Sequence, residues 1–179
     1  VATALLVGAG LATPSAVFAQ AGKSALNLAM VAEPPTLDIQ STPADLVCII
    51  MQHVYEPLFT FDANSSLVPM LAEAMPKISD DGKLYTIALR KGVKLHSGRE
   101  LNADDVVASL KRWMEVSPRG KSVAAQVADL VAKGPLNVEI SLKNAYAPLL
   151  SQLAMASGMA AIMAKESLAQ PLRDYVGTG

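Results

Sequence analysis

Residues 79–113 read SDDGKLYTIALRKGVKLHSGRELNADDVVASLKRW, and this stretch carries the strongest structural signals of the chain. Asp81-Gly82 predicts a tight hairpin turn, because glycine readily adopts the positive φ that such a turn requires. After the turn, apolar residues recur at every second position, as on one face of a strand: Tyr85, Ile87 and Leu89. We therefore expect residues 76–79 and 83–90 to form paired antiparallel strands.

The second half of the stretch predicts a capped helix. Asn102 is a good N-cap, and Asp104 and Asp105 fall in the first turn, where the helix dipole favours negative charge. The helical period places Lys111 and Arg112 on the face towards water. The opposite, buried stripe comprises Val106, Val107, Leu110, Trp113 and Met114.

Further helices and strands are predicted on both sides of this stretch. The predicted helices are residues 44–56, 122–131, 148–156 and 165–170, with a helical turn between Pro69 and Pro76. The predicted strands are residues 26–30, 58–62, 93–95, 138–142 and 158–164, and residues 117–122 are predicted as a loop. Because helices and strands do not alternate strictly, we predict an α/β fold of the mixed α+β kind with antiparallel pairing.

Residues 1–19, VATALLVGAGLATPSAVFA, are small, apolar and uncharged. Val17 and Ala19 precede a plausible cleavage point, so we predict a secretory signal peptide that is cut after Ala19. A transmembrane helix is the alternative, but the run is at the short end of the roughly 20 apolar residues that span a bilayer. Because the chain starts at Val1 and stops at Gly179, we expect a fragment of a longer protein.

The single cysteine, Cys48, lies in the apolar run VCIIM. We expect it to be a small buried hydrophobic residue. A lipoprotein would need a cysteine at the predicted cut, where this chain has none. A single cysteine also cannot form an intramolecular disulfide. Stability must therefore come from a packed core.

The composition argues against several classes of function. The net charge is −1 and no basic run is present, so nucleic-acid binding has no support. His53 and His96 have no second ligand at metal spacing, and no nucleophile elbow or phosphate loop occurs. We predict no catalytic residue, no metal site and no cofactor.

A secreted metal-dependent hydrolase that uses His96 and the aspartate pairs Asp80-Asp81 and Asp104-Asp105 remains the alternative from another class. Alanine at Asp80, Asp81 and His96 distinguishes a hydrolase from a carrier, because an enzyme would lose turnover whereas a carrier would lose only stability.

Several segments, in the right order, resemble one family, the extracellular solute-binding proteins of family five. The segments are EPPTLD (33–38), VYEPLFTFD (54–62), LAEAMPKISDDGKLYTIALRKGVKLHSG (71–98), LNADDVVASLKR (101–112), NVEISLKNAYAPLLSQLA (137–154) and VGTG (176–179). Members often have Trp and Phe where this chain has Met75 and Leu95, which keep the apolar character. Asn102 stands where Thr is usual, and both residues can cap a helix.

The resemblance implies the N-terminal part of a two-lobed periplasmic-binding-protein fold. Residues 20–55 would begin the first lobe, residues 56–164 would form a small inserted α+β domain that is essentially complete, and residues 165–179 would return to the first lobe. The second lobe and the hinge would lie beyond Gly179.

The resemblance also implies a role. The chain would be a non-enzymatic, monomeric substrate-binding component of an ATP-binding cassette importer. It would capture peptides or similar small solutes in the periplasm and deliver them to inner-membrane permease and ATPase subunits. Nickel chelates, opines and oligosaccharides are alternative solutes within the family.

In relatives that bind peptides, the loop after the Leu-Asp pair lines the solute cleft. Here that loop is Gln40, Ser41, Thr42, Pro43, Ala44 and Asp45, and by analogy the turn at Ala156 and Ser157 approaches the same cleft. The alternative role for Thr42 or Asp45 is a helix cap. Because a hinged binder buries its solute between two closing lobes, we expect this chain alone to bind weakly or not at all.

Overall fold

The computed structural model describes residues 29–168 and 172–179. The predicted signal peptide, and the predicted strand at 26–30 except its last two residues, lie outside the described residues. The helices are α1 (Asp45–Met51), α2 (Ala103–Val116), α3 (Pro118–Ala124) and α4 (Leu149–Ala154), followed by a 3₁₀ turn at Lys165–Ser167. The strands are β1 (Phe59–Phe61), β2 (Leu67–Pro69), β3 (Lys77–Ile78), β4 (Leu84–Ala88), β5 (Val127–Ala132) and β6 (Asn137–Leu142).

The strands form two antiparallel sheets. β1 and β2 make a small hairpin, and the larger sheet has the order β3-β4-β6-β5. The predicted hairpin at Asp81-Gly82 is confirmed: Gly82 has a φ of 68°, and Asp81 Oδ1 accepts the Lys83 N–H at 3.1 Å. The strands predicted at 58–62 and 138–142 are confirmed as β1 and β6.

Helix α2 starts where its sequence predicts. Asn102 Oδ1 accepts the N–H groups of Asp104 and Asp105 at 3.0 and 3.2 Å. Asp105 Oδ2 accepts the Asn102 N–H at 3.0 Å, which completes a capping box. One part of the prediction is wrong: Lys111 is exposed, but Arg112 is 6% exposed and does not face water.

The prediction between residues 117 and 131 is wrong except at residues 122–124, which are helical as predicted. Residues predicted as a loop form α3, because Pro118 occupies the first helical position, where its missing N–H has no cost. Residues predicted as a helix form β5, which pairs with β6 through backbone hydrogen bonds that local propensity does not encode.

Other boundaries differ by a few residues. The helix predicted at 44–56 ends at Met51, and the one predicted at 165–170 is a single 3₁₀ turn within its described part. Residues 93–95 contribute only the isolated bridge between Lys94 and Glu100, and no helical turn forms between Pro69 and Pro76. Among the described helices, none has the length and hydrophobicity that crossing a bilayer requires.

Residues 159–164, which we call the dividing segment, separate two hydrophobic cores. Met159, Ala161 and Met163 pack into a smaller core, and Ala160, Ile162 and Ala164 pack into a larger core. The smaller core also holds Ile39, Val47, Cys48, Met51, Tyr55 and Leu172, so the predicted burial of Cys48 is confirmed. The larger core lies between the four-stranded sheet and α2.

The buried apolar strand predicted at 158–164 is confirmed in its burial but does not form as a strand, because the dividing segment belongs to no ladder. Its backbone groups are bound instead by side chains and by single backbone contacts. Ser109 Oγ accepts the Met163 N–H at 2.9 Å and donates to Met163 O at 3.1 Å. The Ile162 N–H donates to Glu56 O at 3.0 Å. The lobe boundaries predicted at 55/56 and 164/165 stay predictions.

Candidate solute-binding surface

The two segments predicted to line a solute cleft are in contact. Ser157 Oγ donates a hydrogen bond to Pro43 O at 3.0 Å, although the two residues are 114 positions apart. The loop 41–45 and the turn 156–157 therefore form one continuous area, which we call the candidate surface.

Most of the candidate surface is accessible. Ser41, Pro43, Asp45 and Ala156 are exposed, whereas Thr42, Ala44 and Ser157 are half-buried. The cap role that the sequence left open for Thr42 or Asp45 is wrong, because neither of these side chains makes a cap hydrogen bond to α1. Thr42 Oγ1 instead accepts the Ala44 N–H at 3.2 Å within the loop, and the Asp45 carboxylate remains exposed.

Asp38 shapes the start of the loop. Its Oδ1 accepts the Gln40 N–H at 3.2 Å, and its main-chain oxygen accepts both the N–H and the hydroxyl of Ser41, at 3.1 and 2.9 Å. These local bonds turn the chain sharply after Leu37-Asp38 and direct Ser41–Asp45 outwards.

A buried polar network lies directly beneath the loop. Arg112, on α2, forms a bidentate ion pair with Asp38 at 2.5 and 3.1 Å. The same guanidinium donates to Gln40 Oε1 at 2.7 Å. The Arg112 side chain is 5% exposed and that of Asp38 is 13% exposed, so this is a desolvated pair.

Gln40 joins this network to the dividing segment. Its amide nitrogen Nε2 donates to Ala161 O at 2.9 Å and to Ser109 O at 3.1 Å. Gln40 is fully buried, and every polar atom of its side chain has a partner. Sequence reasoning missed this network, because nothing local to Arg112 indicates a carboxylate that lies 74 residues earlier.

A cavity of about 240 Å³ opens beside Ala156. Its lining mixes amide, imidazole and hydroxyl groups with apolar side chains: Gln52, His53, Tyr55, Pro57, Thr60, Met70, Ala154, Ala156 and Met159. Burial, more than the nearby Tyr175 and Asp38, raises the pKa of Tyr55 well above its ordinary value. The Tyr55 hydroxyl therefore stays neutral and adds no charge to the cavity.

The residues of the hydrolase alternative have structural partners. The hydrogen bond from Ser79 Oγ, at 2.5 Å, and then that from the Lys83 N–H lower the pKa of Asp81, whose carboxylate closes the hairpin. Asp80 is exposed beside it. Within residues 29–168 and 172–179, no group of three or more His, Cys, Asp or Glu side chains could hold a metal ion.

His96 binds the VGTG segment. Its main-chain N–H donates to Gly177 O at 2.9 Å, its Nδ1 accepts the Gly177 N–H at 3.3 Å, and its Nε2 lies 2.7 Å from Gly179 O. A Cβ at Gly177 would lie 2.0 Å from Val54 O, so only glycine allows this close approach. The paired glycines of VGTG were the signal that could have predicted this contact.

Arg99 ties the N-terminus of α2 to the 3₁₀ turn. It forms hydrogen-bonded ion pairs with Asp105, at 2.7 and 2.8 Å, and with Glu166 at 2.8 Å. Burial alone would raise the pKa of Asp105, but hydrogen bonds from Arg99 and from the N–H groups of Lys165 and Asn102 outweigh it. The pKa of Asp105 is therefore lowered, and the Asp105 side chain is fully buried.

We expect Asp105→Asn to destabilise the fold in a pH-dependent way. A carboxyl whose pKa is lower in the folded state stabilises the protein above its unfolded pKa of about 3.9. That stability is lost as the pH falls through the folded pKa. At pH 7 the variant should lose about 1–3 kcal/mol, from weakened charge-assisted hydrogen bonds.

Urea unfolding of both proteins at pH 7 and pH 3 measures this effect. The difference in the free energy of unfolding should shrink at pH 3, which is below the unfolded pKa of about 3.9, because the unfolded parent then takes up a proton at this carboxyl. Asp104→Asn is the matched control, because Asp104 is exposed at the adjacent position. An equal difference at both pH values would contradict the assigned role of the Asp105 charge.

Comparison with known proteins agrees with these features. A family model described as bacterial extracellular solute-binding proteins, family 5 Middle, matches residues 66–179. A probable peptide ABC transporter periplasmic-binding protein of Sinorhizobium fredii is 33% identical over 153 residues, which are 84% of this chain and 28% of that protein. A nickel-binding periplasmic protein of Escherichia coli is 34% identical over 104 residues, which are 57% of this chain and 20% of that protein.

A solved structure shows the same relation. The dipeptide binding protein from Pseudoalteromonas sp. SM9913, in complex with Met-Leu, matches with a TM-score of 0.73 and 30% identity, over 83% of this chain and 34% of that chain. This chain thus spans about a third, or less, of the length of the three proteins. The match confirms the predicted mixed α/β fold as part of a periplasmic-binding-protein fold. The names of both curated relatives describe binding proteins of the periplasm, and neither describes an enzymatic activity.

The predicted resemblance is confirmed, because the family model covers more than half of the chain. The chain belongs to the bacterial extracellular solute-binding proteins of family 5.

Proposed function

We propose that this chain is part of the substrate-binding component of an ATP-binding cassette importer. It captures peptides or similar small solutes and delivers them to a membrane permease that is driven by ATPase subunits. Family membership is the observation that carries the proposal. The chain acts as a binder and not as an enzyme, and it works as a monomer in the periplasm after export by a signal peptide at 1–19.

We propose further that the candidate surface, residues 41–45 and 156–157, contacts the solute. Three features support this assignment. The surface is built from two distant segments that meet through Ser157 and Pro43. It is largely exposed, and a cavity opens directly beside Ala156. Main-chain groups of the loop other than the Ser41 and Ala44 N–H groups and the Pro43 and Ala44 oxygens, which are already bonded, can form hydrogen bonds to an extended peptide.

Two classes of solute are compared, peptides and nickel complexes. Peptides are favoured by the relative named as a peptide transporter protein and by the dipeptide complex. A nickel complex is the competitor, because the nickel-binding relative has similar identity over a shorter part of the chain.

Nuclear magnetic resonance titration of the ¹⁵N-labelled chain tests the proposal. The probes are the dipeptide Met-Leu and, separately, nickel(II) chloride. We expect Met-Leu to shift the amide signals of residues 41–45 and 156–157 saturably, with a dissociation constant of about 1 mM, equivalent to about −4 kcal/mol. A saturable shift there with nickel but not with Met-Leu would favour the competitor.

Two alanines provide matched variants. Ala156→Arg puts a bulky charge on the candidate surface and should abolish the shifts. Ala145→Arg makes the same change at an exposed alanine beside the Asp81-Gly82 hairpin and should leave them unchanged. A saturable shift with either probe that maps outside residues 41–45 and 156–157 would overturn the proposed solute surface.

A further inference from the structure

The loop 41–45 follows two residues that are bound by an arginine from the other hydrophobic core. Arg112 belongs to α2, whose apolar face packs into the larger core, whereas Asp38 and Gln40 lead into the smaller core. The guanidinium binds Asp38 through two hydrogen bonds and Gln40 through one. Asp38 in turn binds Ser41, the first residue of the candidate surface.

Gln40 connects both halves of the candidate surface. It immediately precedes Ser41, and its amide nitrogen is bound to Ala161 O, four residues after Ser157. A displacement of Gln40 would therefore move the loop 41–45 relative to the turn 156–157. Those two segments meet at the hydrogen bond between Ser157 Oγ and Pro43 O.

Stability alone does not explain why such a network is buried. Moving an arginine and an aspartate out of water has a desolvation cost that their attraction only partly offsets, and apolar residues of similar volume often stabilise a fold as well or better. What a fully satisfied polar network provides is one defined arrangement of the groups that it joins. Binding sites need that definition, because a loosely supported surface has to be ordered when the solute binds.

We propose that Arg112 and Gln40 are positioning residues, which fix the loop 41–45 against the turn 156–157 so that the surface is ordered before solute arrives. The proposal rests on the proposed function for its effect on affinity, but its effect on loop order is independent of any solute. Neither side chain touches the solute: Arg112 acts through Asp38 and Gln40, and Gln40 acts through the backbone.

The test compares variants that perturb the network with one that perturbs only its surroundings. Gln40→Met removes the amide and keeps a similar volume. Arg112→Lys keeps the charge but cannot form the planar, two-pronged contact with Asp38. Ser109→Ala is the control, because it removes two buried side-chain hydrogen bonds to Met163 and keeps the Ser109 main-chain oxygen that accepts from Gln40.

The first readout is the ¹⁵N order parameter of residues 41, 42, 44 and 45 in the chain without solute. We expect order parameters of about 0.85 in the parent and in Ser109→Ala, and below about 0.6 in Gln40→Met. Arg112→Lys should fall between them. The second readout is the Met-Leu titration, in which Gln40→Met should weaken binding about tenfold, as expected for a lost hydrogen-bonded anchor.

The outcomes separate this proposal from the proposed function. Rigid loop amides in Gln40→Met and Arg112→Lys, with only the melting temperature reduced, would overturn the positioning role. Loop disorder in both variants supports that role even if the Met-Leu shifts map outside residues 41–45 and 156–157, in which case the proposed solute surface alone fails. If Gln40→Met does not fold, the same order parameters test the positioning role in two other variants. One is Arg112→Lys. The other is the triple variant Asp38→Leu, Gln40→Met, Arg112→Met, which removes both charges of the ion pair.

Discussion

Arg112→Met is expected to lower the free energy of unfolding by about 3–5 kcal/mol, because it leaves the Asp38 carboxylate buried without its cation. The neighbouring change Lys111→Met should alter it by no more than about 0.5 kcal/mol, because Lys111 is exposed. Urea unfolding followed by circular dichroism measures both values. The contrast is informative because the helical period alone places both residues on the same side of α2.

A double variant separates the cost of an unpaired charge from the value of the pair. Asp38→Leu combined with Arg112→Met removes both charges and should recover much of the lost stability, since apolar replacements of a buried pair are often neutral. Equal losses for Arg112→Met and Lys111→Met would show that Arg112 is solvated and that the ion pair with Asp38 contributes nothing.

Trp113→Ala is expected to cost a similar amount, about 3–5 kcal/mol, through the cavity that it leaves in the larger core. Trp113 is 0% exposed, and its indole Nε1 donates to Gly158 O at 2.8 Å. Trp113→Phe keeps most of the packing but leaves that carbonyl without its donor, so it should cost about 1–3 kcal/mol.

Circular dichroism is again the readout, because Trp113 is the single tryptophan and its fluorescence disappears in both variants. Met114→Ala, at the adjacent half-buried position, is the control and should cost less than Trp113→Ala. A loss for Trp113→Phe as small as that of an exposed residue would contradict the importance of the bond to Gly158, next to Ser157 of the candidate surface.

The parts of the fold that depend on local chemistry could be predicted from the sequence. Asp81-Gly82 specifies a turn through glycine φ and carboxylate hydrogen bonds within a few residues. Asn102 and Asp105 specify a helix start through a capping box that spans four residues. In each case the groups that interact are neighbours in the chain, so their spacing carries the information.

The parts that depend on distant partners could not be predicted. The burial of Arg112 requires Asp38, and the conformation of the dividing segment requires Ser109 and Gln40, both far away in sequence. The residues now assigned to β5 carry no local signal strong enough to exclude a helix, and pairing with β6 decides their conformation. The candidate surface was predicted through family resemblance, and the network beneath it was not.

Photocrosslinking locates bound peptide on the chain. A dipeptide that carries a photoreactive benzoylphenylalanine is irradiated with the chain, and the modified residues are identified by mass spectrometry. We predict modification at residues 41–45 and 156–157, or in the cavity beside Ala156, and its suppression by excess Met-Leu. Modification on the β3-β4-β6-β5 sheet, or labelling that excess Met-Leu does not reduce, would contradict the proposal that the candidate surface binds peptide.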